Sequence, residues 1–264
     1  MNKLKYICLV LLIGLFSCSE DYLVTTPLDF VSPENYLVDE AQVEILVNGI
    51  YTNIDFGGTT DPYKKVYPFI YDVMTDNAFN RSPWEGATDF ARGAVNPDNG
   101  RVHWKWEENY QGIARANTLL DAIDRNTTID KNTIRRHVAE AKFLRAWFYA
   151  DLIDFFGDVP LILEPGNLKE SQPERTSVEL VRAQVLKDLD EAIPDLPVQY
   201  ADAADNGRVT KGAALAFKSR VLLYAQQWAA AAGLAKEVMD LGIYSLYNDY
   251  WGLFQESNEA AVTN

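Results

Sequence analysis

Cysteine is almost absent from this sequence. Its 264 residues include two cysteines, Cys8 and Cys18, both near the start. If the segment before Cys18 is removed during export, no cysteine pair remains that could form a disulfide. A chain of this length must then be stabilised by a buried core, and 48% hydrophobic residues are enough to form one.

Histidine is equally scarce, and catalytic motifs are missing. His103 and His137 are far apart in the sequence and have no ligand-spaced partner, so a zinc site is not expected. There is no Gly-x-Ser-x-Gly elbow, phosphate-binding loop or calcium-loop spacing. Asp151, Asp154 and Asp158 are predicted to lie on a solvated face rather than to form an acid–base pair. We therefore predict a protein that is not an enzyme and uses no cofactor or metal.

Basic residues are outnumbered by acidic ones. The sequence has 24 Lys and Arg against 38 Asp and Glu, which gives a formal net charge of −14. Removing the first 17 residues would remove two lysines and no acid, and would leave a charge of −16. Nucleic acid and anionic lipid head groups are unfavourable partners for such a chain, because both are negatively charged themselves.

The start of the chain is typical of a bacterial lipoprotein export signal. Two lysines precede an apolar stretch, residues 6–16, that is too short to span a bilayer comfortably, and the small residue Ser17 precedes Cys18. Residues 15–18 resemble the lipobox, whose cysteine becomes the acylated first residue of the mature protein. We predict a signal peptide over residues 1–17 and lipidation at Cys18. The alternative is an ordinary secretory signal with a chance cysteine.

Beyond a tether over residues 18–38, apolar residues recur at helical rather than strand spacing. Six helices are predicted, at about 39–52, 103–124, 133–156, 176–192, 210–224 and 228–242. The third carries two apolar stripes and should have neighbours on both sides. Residues 55–101 show no clear periodicity and are predicted to be a long irregular loop, a feature that is often functional.

The ends of the predicted helices carry recognisable signals. Thr176 with Glu179 has the spacing of a capping box, and Thr210 can cap the helix that follows it. Gly157 and Gly242 stand where a residue with positive φ would end a helix.

The last helical pair has the spacing of a tetratricopeptide repeat. Trp228, Ala231, Ala235 and Val238 follow the steps of three, four and three seen in the second helix of that repeat. The predicted fold is therefore all-α, a tetratricopeptide-like solenoid of stacked helical pairs with long irregular loops, formed by residues 39–264. An ordinary helical bundle is the alternative.

Four segments of the sequence form a specific pattern in a fixed order. They are VAEAKFLRAWFYADLIDFFGDVPLI at 138–162, YQGIARANTLL at 110–120, GRVTKGAA at 207–214, and residues 228–250, which end in Gly-x-Tyr-x-Leu and an aromatic stretch. Together they resemble the SusD/RagB family of lipid-anchored nutrient-binding proteins of the bacterial outer membrane. The resemblance covers essentially the whole chain after the signal.

The resemblance implies a function as well as a fold. Family members mostly capture oligosaccharides such as starch, some capture peptides, and they act as the binding lid of a SusC-like TonB-dependent transporter. It also implies display on the cell surface, and the pair Glu20-Asp21 after the cysteine is similar to the export tags of such lipoproteins. Because members are about twice as long and continue into a further repeat, the domain is expected to be incomplete at its C-terminus, with an exposed apolar face there.

Sugar recognition needs flat rings for the C–H faces and fixed polar groups for the hydroxyls. Trp106 and Asn109 are three residues apart on a predicted helix and share a face, so they could act on one ligand. In the preceding loop, Asn77, Arg81 and Trp84 supply an amide, a forked donor and another ring. The alternative for Trp106 is a core position, because it continues the apolar stripe of its helix.

Alternatives to glycan delivery come from other classes of protein. A helical scaffold that binds protein or peptide partners fits the same folding pattern without any sugar contact. A truncated, non-functional fragment and an anchored hydrolase are the other two.

Overall fold

The computed structural model describes residues 39–54, 67–79, 87–165 and 172–256. Within these ranges the chain forms α-helices, short 3₁₀ turns and no β-strand, which confirms the all-α prediction. The helices are α1 (Glu40–Tyr51), α2 (Tyr67–Val73), α3 (Ala87–Ala91), α4 (Gly100–Arg125), α5 (Arg135–Phe156), α6 (Val178–Ala192), α7 (Lys211–Tyr224) and α8 (Trp228–Asp240). The 3₁₀ turns are Thr52–Ile54, Ile193–Asp195, Ala203–Asp205 and Trp251–Phe254. The predicted signal peptide, Cys18, the tether, Arg81 and Trp84 lie outside the described residues.

Helix α5 is the centre of the core. It packs against α4 and α6, and α1 also contacts it. Its buried residues occupy both of the stripes seen in the sequence, so the prediction of neighbours on two sides is confirmed: Ala139, Ala141, Phe143, Leu144, Ala146, Phe148, Tyr149, Ala150, Leu152 and Ile153. The pairs α4–α5, α5–α6 and α7–α8 are the most closely packed, as expected of helical pairs stacked in chain order.

The predicted loop over residues 55–101 contains two short helices. Helix α2 has seven residues and α3 has five, and they contact each other. Fewer than two full turns cannot display the 3.6-residue period on which the prediction depended. Helix α4 also begins earlier than expected, at Gly100, because the side chain of Asn99 accepts a hydrogen bond from the Arg101 N–H at 3.0 Å and caps it.

Some helix ends match the sequence signals. The Thr210 hydroxyl accepts a hydrogen bond from the Ala213 N–H at 3.2 Å, as predicted for the N-cap of α7. Gly157 directly follows the last residue of α5, and Gly242 lies two residues after the last residue of α8. Both glycines have a φ of +68°. An L-residue with a side chain rarely adopts this conformation, so glycine is required at both positions.

The capping box predicted for α6 is wrong. The N-cap residue is Ser177, whose side chain makes no capping hydrogen bond. Thr176 instead forms an antiparallel bridge with Val159, and the Val178 N–H donates to the Asp158 carboxylate at 2.9 Å. A residue from the α5–α6 connection therefore caps the helix, which local sequence spacing cannot indicate.

The last helical pair leaves much apolar surface exposed. Ala231 is buried, as its repeat position predicts, whereas Ala235 is exposed and Trp228 is 60% exposed. The large exposed apolar side chains in this part of the chain are Leu223, Tyr224, Trp228, Met239, Tyr244, Leu246, Tyr247, Tyr250, Trp251, Leu253 and Phe254. In the part of the chain that the structure describes, no helix has the length and apolar character needed to cross a membrane.

Candidate functional site

A polar stripe runs along one side of α4. Arg101, Lys105 and Asn109 are spaced four residues apart, so they share a helix face, and all three are buried. The Lys105 ammonium lies 2.5 Å from the Asp151 carboxylate of α5 and donates to the Tyr71 hydroxyl at 2.8 Å. The Asn109 amide donates to the same Asp151 carboxylate at 2.8 Å. This stripe therefore joins α2, α4 and α5 by charge-assisted hydrogen bonds.

The sequence predicted a solvated face for Asp151, and this prediction is wrong. Its carboxylate accepts from both Lys105 and Asn109, and its side chain is 19% exposed. Asp154 is exposed, and Asp158 caps α6. The three acids thus have three different environments.

An aromatic cavity of about 280 Å³ lies beside the polar stripe. We define it by the rings of Tyr71, Phe90, Phe155 and Phe156 and by Lys105, all of which line it. The rings of Tyr71 and Phe155 stack with centroids 5.6 Å apart, and the Lys105 ammonium lies 5.5 and 5.2 Å from these two centroids. These distances allow cation–π attraction. Phe155 is 40% exposed, so its ring is accessible to a ligand.

Tyr71 keeps its proton at this site. Burial raises the pKa of its hydroxyl above the ordinary value of 10.0, the nearby Asp151 charge raises it further, and Lys105 opposes both. The hydroxyl that accepts from Lys105 can therefore still donate a hydrogen bond to an acceptor that reaches it.

The predicted residues Trp106 and Asn109 have different neighbours. The Trp106 ring packs against Tyr110 at 4.9 Å and edge-on against Phe156 at 5.1 Å, and it is partly buried at the edge of the core. Asn109 instead bonds to Asp151. Because Phe156 also lines the aromatic cavity, Trp106 lies against a ring of the cavity wall. Their joint action on one ligand stays a prediction.

The loop residues of the predicted site are only partly described. Asn77 is exposed, and its backbone N–H donates to the Thr75 hydroxyl at 3.2 Å. Arg81 and Trp84 fall outside the described residues. No group of His, Cys, Asp and Glu among the described residues could hold a metal ion.

Sequence reasoning missed Lys105, Tyr71 and Phe155. The four-residue spacing of Arg101, Lys105 and Asn109 was a usable signal, because three polar residues on one helix face either face solvent or meet a polar partner. The rings were harder to find, since Tyr71 and Phe155 come from distant segments.

The stacked helical pairs define the class of this molecule as a helical-repeat protein. Residues 28–223 match the SusD-like family described as "starch-binding associating with outer membrane". The chain belongs to this family.

Curated relatives agree with the family match. SusD-like protein P25 of Formosa agariphila is 28% identical over 98% of this chain and 49% of its own length. SusD-like protein P38 of the same organism is 26% identical over 88% of this chain and 45% of its own length. The chain therefore spans about half the length of the curated relatives it matches.

Solved structures show the same fold. A laminarin-binding SusD-like protein is 29% identical, with a TM-score of 0.73 over 84% of this chain and 49% of that one. A SusD-like carbohydrate-binding protein of Bacteroides fragilis is 27% identical, with a TM-score of 0.76 over 85% of this chain and 45% of that one.

Proposed function

We propose that this chain is a surface-exposed outer-membrane lipoprotein, anchored through Cys18, that binds oligosaccharide and delivers it to a SusC-like TonB-dependent transporter. The observation that carries the proposal is the similarity to the laminarin-binding SusD-like protein, at 29% identity and a TM-score of 0.73. The description of the family as starch-binding and associated with the outer membrane supports the location.

The aromatic cavity and the polar stripe beside it are the proposed ligand site. The exposed ring of Phe155 offers a flat face for the C–H surface of a sugar. Lys105, Asp151 and the Tyr71 hydroxyl lie next to it and supply both donors and acceptors for hydroxyl groups. Both kinds of contact are needed, because burying an unpaired sugar hydroxyl would cost more binding free energy than ring stacking contributes.

Asn77, Arg81, Trp84, Trp106 and Asn109 remain part of the proposed site. The first three stand in the sequence between α2 and α3, and both of these helices contribute rings to the aromatic cavity. Asn109 supports the site by fixing the Asp151 carboxylate, and Trp106 supports it by packing against Phe156.

Calorimetric titration of the purified chain with neutral oligosaccharides derived from starch and laminarin tests this proposal. We expect measurable heat with at least one of them, and a loss of affinity of about tenfold in Phe155→Ala, which corresponds to ~1.4 kcal/mol. Phe254→Ala is the matched control, because Phe254 is also an exposed ring but lies outside the cavity. The absence of binding heat with every glycan would refute the proposal.

The absence of catalysis is part of the same proposal. Carbohydrate binding is what the similar proteins are named for, and we expect no cleavage of any glycan in the panel. Reducing ends that accumulate in proportion to the protein concentration would indicate an anchored hydrolase instead.

The exposed apolar residues after α7 favour a second candidate, a helical scaffold that binds protein or peptide partners. Under this alternative the chain co-purifies with a TonB-dependent transporter but binds no glycan. The calorimetric panel separates the two functions.

A further inference from the structure

A second cleft, of about 630 Å³, lies on another part of the molecule. It is bordered by the C-terminal half of α4, by α5, by α6 and by residues 163–165, and it shares no lining residue with the aromatic cavity. We call it the polar cleft because six charged residues line it: Asp121, Asp124, Lys142, Arg145, Glu164 and Glu191. Its volume is within the range typical of small-molecule sites.

A buried hydrogen-bond network fixes the walls of the polar cleft. The Arg145 guanidinium donates to both carboxylate oxygens of Asp188, at 2.7 and 2.8 Å, and to the side-chain oxygen (Oδ1) of Asn117 at 3.0 Å. The Asn117 amide in turn donates to the Ile162 carbonyl at 2.9 Å, and the Tyr149 hydroxyl bonds to both the N–H and the C=O of Ile162. The segment that forms one wall is thereby attached to α4 and α5 directly before residue 163. Such preorganisation lowers the entropic cost of binding.

The polar cleft offers both kinds of hydrogen-bonding group. Lys142 donates to Glu191 at 2.7 Å, and this bond lowers the pKa of the Glu191 carboxyl, so the pair is charged. Asp124 and Glu164 are exposed, and neither has a hydrogen-bond partner among the residues that the structure describes. The Asp124 and Glu164 carboxylates are therefore two acceptors open to a ligand, while the Lys142–Glu191 ion pair can exchange bonds with hydroxyls.

Apolar side chains line the cleft between the charged groups. Leu120, Val138 and Leu163 present aliphatic surface, which suits the C–H face of a sugar ring. The four carboxylates outnumber the two cations, both of which already have acidic partners. A negatively charged ligand would be repelled, whereas a neutral hydroxyl-rich ligand can use acceptors, donors and aliphatic patches together.

We propose that the polar cleft is a second binding site for neutral oligosaccharide, separate from the aromatic cavity. The inference rests on the proposed function for the class of its ligand, but on its own residues for its location. Two separate sites on one chain would raise the avidity for a polymeric glycan without any change in either contact.

The test is calorimetric titration of the full chain with neutral starch- and laminarin-derived oligosaccharides. We expect two binding events in the wild type. The double variant Asp124→Ala/Glu164→Ala should weaken one event at least about tenfold, because two charge-assisted hydrogen bonds are lost, and Phe155→Ala should weaken only the other. Leu163→Trp, which fills the cleft, should remove the same event as the double variant.

The matched control is Glu179→Ala/Glu237→Ala, which removes two exposed carboxylates outside the cleft and should change neither event. If both cleft variants bind like wild type while Phe155→Ala loses affinity, the second site is refuted and the proposed function stands. If no glycan binds at all, both the second site and the proposed function are refuted. Oligogalacturonides that bind at the cleft as tightly as neutral chains would overturn the assignment of ligand charge.

Discussion

Arg145 joins three elements through a single side chain. It bonds to Asp188 of α6 with two hydrogen bonds and to Asn117 of α4, and the side chains of Arg145 and Asp188 are only 9% and 1% exposed. A buried pair of this kind adds little net stability when complete, but removing one partner leaves the other charge buried and uncompensated.

We therefore predict that Arg145→Met lowers the free energy of unfolding by about 3–5 kcal/mol, measured by urea denaturation. Lys236→Met is the control, because its ion pair with Asp240 is exposed, 72% and 60%, and should contribute less than about 0.5 kcal/mol. Equal effects in the two variants would contradict this account.

His137 is a buried neutral group with a defined partner. Its side chain is fully buried, and its Nε2 lies 3.0 Å from the Arg136 guanidinium, which must donate to it. Burial and then the Arg136 charge lower the pKa of His137 below 6.5. The unfolded chain thus binds more protons than the folded one below pH 6.5, so folding stability is complete above that pH and decreases as the pH falls through this range.

His137→Gln should remove this pH dependence while keeping an acceptor for Arg136. We expect the wild type to lose more unfolding free energy than the variant between pH 7.5 and 5.5, measured by denaturant titration at both values. A parallel decline in the two proteins would show that His137 does not titrate in this way.

At the scale of helices, the family motifs correspond to places of close packing. A Cβ at Gly112, in the motif of residues 110–120, would lie 2.3 Å from the Phe148 ring of α5. A Cβ at Gly212, in the motif of residues 207–214, would lie 2.3 Å from the Tyr244 hydroxyl. These glycines are required by neighbouring side chains, not by helix formation, which glycine disfavours.

Gly112→Ala should therefore destabilise the protein by about 1–3 kcal/mol, although alanine is the better helix former, because Phe148 is buried and cannot move freely. Gly233→Ala, in α8, is the matched control: nothing lies within 4 Å of its Cβ position, so it should stabilise by about 0.5–1 kcal/mol. Thermal and urea denaturation would measure both, and a stabilised Gly112→Ala would be inconsistent with the packing described.

For the whole molecule, Arg208 shows how one motif residue connects distant segments. Its guanidinium bonds to Glu44 of α1 at 2.7 Å, to Glu140 of α5 at 3.1 Å and to Asp205 at 2.7 Å. Burial raises the pKa of Glu140 above its ordinary value, and bonds from Tyr51 and Arg208 oppose that shift. The motif that indicates the family therefore also fixes the arrangement of its helices.

The proposed attachment of the whole protein to the membrane through Cys18 can be tested with a single substitution. We expect mass spectrometry of the N-terminal peptide from cells to show acyl chains on residue 18, and Cys18→Ala to abolish them and the membrane retention that they provide. Cys8→Ala should leave both unchanged, because Cys8 lies within the predicted signal. An unmodified residue 18 in the wild type would disprove the anchor.

Six of the helices could be predicted from the sequence, because each is long enough for its apolar residues to repeat on one face. The two short helices α2 and α3 could not, since they span fewer than two turns each. The Thr210 cap was visible because donor and acceptor are three residues apart, whereas the cap of α6 comes from Asp158, 20 residues away.

The sequence by itself determined the helical class, the family, the N-cap of α7 and the glycines that end α5 and α8, because these depend on periodicity and on contacts within a few positions. Only the tertiary structure decided that Asn109 meets Asp151, 42 residues away, while Trp106 packs on Phe156. Likewise, only folding gave Lys105 its two aromatic neighbours and gave Arg145 its buried carboxylate. A helix face can be predicted from spacing, but its partner depends on which other element packs there, and that is set by the whole core.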